Sequence, residues 1–173
     1  MPASSSPEDA ARMTVANFVT EYIAHLTSKY ALLEQAGNGP LKFSLFDFQM
    51  ETFIYGLHCL DRAVFFVWGA EYRAVFMDTA LDFASDTFAA VLPDQDREKF
   101  LLRFEETYRM RQLQYADLTP IVSEDGDSKN VLAYDFGERI CFDAGVRNVD
   151  VIAVMIHEAT SIFTMMLRIA DGL

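Results

Sequence analysis

Cysteine is scarce in this chain: Cys59 and Cys141 are the only two in 173 residues. They form no Cys-x-x-Cys or Cys/His ligand spacing and sit in apolar surroundings, which excludes a disulfide framework. Buried free thiols in a reducing compartment are expected instead. Positive charge is also in short supply, with 14 Lys and Arg against 26 Asp and Glu and a formal net charge of -12. Such a field repels phosphate backbones and anionic headgroups, so nucleic acid is not an expected partner. No run of residues approaches the ~18 uninterrupted apolar positions of a membrane helix. The opening MPASSSPEDAARM lacks both the basic and the apolar regions of a secretory signal. The expectation is a soluble, cytoplasmic protein with no membrane partner. Missing too are internal repeats, a GxSxG elbow, a phosphate-binding glycine loop and an HExxH pair, so solenoid architecture and nucleophilic, nucleotide and zincin chemistry have no foothold.

What is present is helical rhythm in a chain of one-domain length. Residues 1–6 read as a flexible tail and 7–173 as a single all-α domain, a bundle of five or six helices. Ser6-Pro7-Glu8-Asp9 supplies a capping hydroxyl, a proline where a missing amide is harmless, and two acids at the positive end of the dipole. From there Val15, Val19, Tyr22, Leu26 and Leu33 predict one helix from 7 to 36, ended by Gly37-Asn38-Gly39-Pro40. Ser44 caps the central helix, 44–68, whose seam runs Phe46, Met50, Phe53, Leu57, Leu60, Val64 and Val67. A second series from Ala74 to Val91 follows Gly69, where the chain either turns or bends; a break is the favoured reading. Pro93-Asp94 opens a helix with Leu101, Phe104, Tyr108 and Tyr115 on its face and a Glu105–Arg109 surface pair. Pro120 ends it. SEDGDSKN is a loop by composition without the spacing of an EF-hand. Residues 130–143 fit either a short hairpin or an extra helix, and Asn148 caps the last helix, with Ile152, Ile156, Ala159, Phe163 and Met166 in its stripe.

One stretch, FIYGLHCLDRAVFFVWG at 53–69, sets a polar cluster inside an almost wholly apolar run. At 100° per residue, Asp47, Glu51, His58, Asp61 and Arg62 share one sector of the central helix. Phe48, Tyr55, Cys59 and Phe66 make a second apolar strip beyond it, so the helix is expected to bury two flanks around a polar wedge. Glu51, His58, Asp61 and Arg62 are the candidate ligand-binding residues, with His58 and Asp61 the candidate metal ligands, since His58 reaches Asp61 at i,i+3 and Arg62 at i,i+4. The bland alternative is a solvated stripe in which His58 fills a gap between aromatics. A ferritin-like di-iron set needs Glu-x-x-His on two helices, a spacing absent here. Asp78, Asp82 and Asp86 read as a solvated ridge, and His157 as solvent-facing. Glu158, surrounded by Val151, Met155, Ile162 and Met165, is a buried acid that needs a partner, with Arg62, Arg139 or a second subunit as candidates.

With Phe at 15 positions and Met at 8, the helices offer more apolar surface than one small bundle readily hides. The leading expectation is a non-catalytic binding or assembly module forming a homo-oligomer. The alternative is an enzyme or sensor using a metal or small molecule beside His58 and Asp61. No cofactor is specified by any motif.

Overall fold

The computed structural model describes residues 6–37, 40–90, 94–119 and 131–172. Side chains of 21–25, Phe88 and 94–96 lie outside that description, as do the expectations resting on Asn38-Gly39, Val91, Pro93, Pro120 and SEDGDSKN. The described residues form an all-α bundle: α1 (Pro7–Asn17), α2 (Ile23–Ala36), α3 (Leu45–Ala90), α4 (Asp94–Tyr115), α5 (Leu132–Ala144) and α6 (Val149–Gly172). α3 lies at the centre, touching α1, α2, α4 and α6, while α5 lies against α6.

The capping residues act as their chemistry predicts. The Ser6 hydroxyl accepts from the Asp9 amide at 3.2 Å. Ser44 and Asp47 form a reciprocal box, with Asp47 N donating to Ser44 Oγ at 3.1 Å and Ser44 N to Asp47 Oδ2 at 3.2 Å. Asn148 Oδ1 accepts from Asp150 N at 2.9 Å. The expected single helix from 7 to 36 is interrupted by a π turn at Phe18–Tyr22. There Phe18 lies over Gly56, where any Cβ would stand 2.5 Å from its ring, and stacks on Phe53 at 5.3 Å. The wider turn accompanies this close seat, and Val15 before it and Leu26 and Leu33 after it are all buried.

Residues 132–144 are helical, so the hairpin alternative is excluded. Gly137, the residue that made a hairpin plausible, instead lets α5 approach α6: a Cβ there would sit 2.6 Å from the Ile156 amide nitrogen. Tyr55 ties three helices together, donating its hydroxyl to the Ala159 carbonyl at 3.0 Å and stacking on Phe136 at 4.2 Å. Such ring pairs contribute about 0.5–1.5 kcal/mol beyond their buried area. α6 is long and apolar enough to cross a membrane. Its Asp150, His157, Ser161, Thr164 and Arg168 are exposed, however, while Val151, Met155, Ala159, Ile162 and Met166 are buried. That is the pattern of an amphipathic core helix.

α3 is unbroken from Leu45 to Gly69, where φ 81° and ψ -179° bend the chain. Nothing crowds a Cβ at this position, so glycine is required by conformation rather than by space. The bend is visible independently in Asp61 and Arg73, which in a straight helix would lie about 18 Å apart along the axis. Here Arg73 Nε donates to Asp61 Oδ1 at 2.6 Å.

Candidate functional site

The polar sector of α3 is real, but it faces protein along most of its length. Asp47 pairs with Arg103 of α4 at 2.7 Å. Glu51 accepts from Arg111 Nε at 3.0 Å and Nη2 at 2.9 Å, and from Arg139 Nη1 of α5 at 3.4 Å. Arg139 also donates to the Tyr115 hydroxyl at 2.8 Å. The basic residues of α4 thus meet the acids of α3, whereas Asp78, Asp82 and Asp86 stand in solvent as expected.

His58 belongs to this seam. It is 4% exposed, stacked face to face on Tyr108 at 4.5 Å and edge-on to Tyr115 at 5.2 Å. Nε2 is buried with no hydrogen-bond partner. Burial, aided by the nearby Arg62 and Arg111 charges and opposed by a backbone hydrogen bond at Tyr108, pushes its pKa down to about 4. The imidazole is therefore neutral at physiological pH and packed as an aromatic ring. Burial also pushes the Tyr115 hydroxyl up to about 12. Cys59 and Cys141 are free, buried thiols, each pushed up to about 12 by desolvation; neither is a thiolate at neutral pH.

The i,i+3 and i,i+4 partnerships expected of His58 are replaced by longer-range ones. Asp61 receives Arg73 through both oxygens, at 2.6 and 2.8 Å. Arg62 donates Nη1 to the Leu118 carbonyl and Nη2 to the Tyr115 carbonyl, satisfying acceptors at the C-terminal end of α4. Glu158 is buried as expected, yet its ion-pair partner is neither Arg62 nor Arg139: Lys29 of α2 reaches it at 2.8 Å.

The larger opening of the sector lies beyond Asp61. A cavity of about 530 Å³ lies at the bend, with Asp61, Arg62 and Arg73 as its polar lining. Phe65, Phe66, Ala116, Phe163 and Leu167 form its apolar walls. Phe66, expected in the second buried strip, is 84% exposed, and Phe65, Val67 and Trp68 are exposed beside it. The turn at Gly69 is the reason, since among the described residues no helix covers the outer side of the last turn before it, while α6 holds the inner side. Trp68 is held from within, donating Nε1 to the Ala170 carbonyl at 2.7 Å.

The four candidate ligand residues are thus not gathered in one pocket. Asp61 and Arg62 border the cavity; Glu51 borders a separate depression of about 240 Å³ with Asp47, Arg103 and Asp143. His58 borders neither. Among the described residues no three His, Cys, Asp or Glu side chains converge as a metal donor set. Sequence reasoning missed Arg73, Phe163 and Leu167 because their approach to Asp61 and Phe65 depends on the bend and on the docking of α6. Comparisons with protein-family models, with curated proteins and with solved structures yield no match to this chain.

Proposed function

We propose that the chain is a non-catalytic binding module whose ligand site is the cavity at the bend of α3. The supporting observation is the combination of a volume near 530 Å³, walls of three phenylalanines with Leu167 and Ala116, and only three polar side chains. Small-molecule sites are built this way, mostly apolar with a few convergent polar groups. The polar groups present favour holding over reacting. Asp61 has both oxygens committed to Arg73, and the neutral His58 does not border the space. This reading keeps the small ligand beside Asp61 and gives His58 a packing role. It is tested with the neutral dye Nile red, which brightens in apolar surroundings. Saturable binding at one site per chain, lost in Leu167→Trp, is expected; a linear, non-saturating signal unchanged by that substitution would sink it.

A second reading, self-association, is favoured by the run of exposed Phe65, Phe66, Val67 and Trp68. Contiguous apolar surface of this kind is characteristic of contacts between copies. Size-exclusion chromatography with light scattering is expected to give a dimer or larger species that Phe66→Glu reduces to monomer. A wild-type monomer at every concentration would remove this reading.

A further inference from the structure

We infer that the cavity at the bend of α3 takes an amphipathic monoanion, an aliphatic or aromatic body carrying a single carboxylate or equivalent head. The inference rests on the cavity being a ligand site and goes further by naming the chemistry of its occupant.

The argument is one of unmatched donors. A guanidinium carries five N–H donors and no acceptor. Arg73 commits Nε and Nη2 to Asp61, leaving Nη1 without a partner among the described residues, and Arg62 commits Nη1 and Nη2 to the carbonyls after and at the end of α4, leaving Nε likewise. Asp61, by contrast, has both oxygens occupied, and its side chain is 15% exposed against 35% for Arg73. The polar lining therefore holds donors not yet matched and an acceptor already engaged.

Charge points the same way. Two guanidiniums and one carboxylate line the space, so it is locally positive on a chain whose net charge is -12. Asp78 lies near enough to Arg73 to act on it but does not line the space, and carboxylates farther away are screened beyond a Debye length of about 8 Å at physiological salt. A carboxylate head suits a guanidinium edge in shape as well as in charge. The remaining walls, Phe65, Phe163 and Leu167 among them, accept the apolar body.

Calorimetric titration of the full chain with decanoate, decanol and decylammonium separates the possibilities, because the three share a tail and differ in the head. Decanoate is expected to bind at one site per chain about tenfold more tightly than decanol, the difference of one modest charge-assisted hydrogen bond. Decylammonium is expected to be the weakest. In Arg73→Gln, which takes the net charge of the lining from one to zero, decanoate is expected to lose that advantage while decanol is unchanged. Leu167→Trp, which fills the space and leaves the charged groups alone, is expected to abolish binding of all three. Folding of each variant is checked by its circular dichroism and thermal transition. If decanol or decylammonium binds as tightly as decanoate, the anion assignment is overturned while the cavity remains a site. If none of the three binds to the wild-type chain, the cavity reading itself falls.

Discussion

Two arginine–carboxylate centres lie on the same face of α3, ten residues apart in sequence, and they have opposite fates. At Glu51 the carboxylate sits between Arg111 of α4 and Arg139 of α5, whose side chains are 12% and 13% exposed, with a depression of only about 240 Å³ beside it. At Asp61 the partner is Arg73, 35% exposed, and the space beside it is open. The chemistry of the pair is the same in both. What differs is whether a neighbouring helix continues alongside: α4 covers Glu51 and ends at Tyr115, and the bend at Gly69 sends the rest of α3 elsewhere. An arginine–carboxylate seam thus packs helices together where it is sandwiched and borders a cavity where the sandwich stops.

The sharpest way to break this comparison is to remove the charge at each centre in turn. Glu51→Gln leaves the nearly buried Arg111 guanidinium without this anion and Arg139 with only Asp143, and is expected to cost about 3 kcal/mol in urea unfolding. The corresponding Asp61→Asn leaves an arginine that can turn to water and is expected to cost less than about 1 kcal/mol. Equal losses would mean that the two centres are equally enclosed.

Between the centres stands His58, and acid probes it. Its folded-state pKa of about 4 lies below the ordinary 6.5, so the unfolded chain binds the proton more tightly. The stability this neutral ring contributes is fully present above pH 6.5 and is lost as pH falls toward 4, a span of about 3 kcal/mol. Protonation would place a cation against Tyr108 and Tyr115 with the Arg62 and Arg111 charges nearby. His58→Phe keeps the stacked ring and removes the titration. Its stability curve is therefore expected to be flatter than that of the wild type through this window, and parallel curves would show that the imidazole is not held neutral.

Much of the architecture is legible in the residues themselves. The seam from Phe46 to Val64 is buried or nearly so, Ser6, Ser44 and Asn148 cap their helices, and Gly69 bends the chain. Periodicity also placed Asp47, Glu51, His58, Asp61 and Arg62 in one sector. It could not say what that sector meets, because the partner of Asp61 is twelve positions away across a bend and the partner of Glu51 is sixty. Helical spacing reports neighbours three and four residues apart and is silent about register between helices. The same limit explains Phe66 and Glu158. Phe66 continues an apolar strip in sequence but lies past the point where any helix covers it, and the choice of Lys29 for Glu158 depends on how α2 crosses α6.

Arg62 grips the end of α4 with two of its nitrogens and forms part of the cavity lining with the rest of the guanidinium. The floor of the cavity and the terminus of a neighbouring helix are therefore one piece of hardware. Any movement of this side chain would therefore be felt at the exit of α4, at the carbonyls of Tyr115 and Leu118, and not only within the cavity.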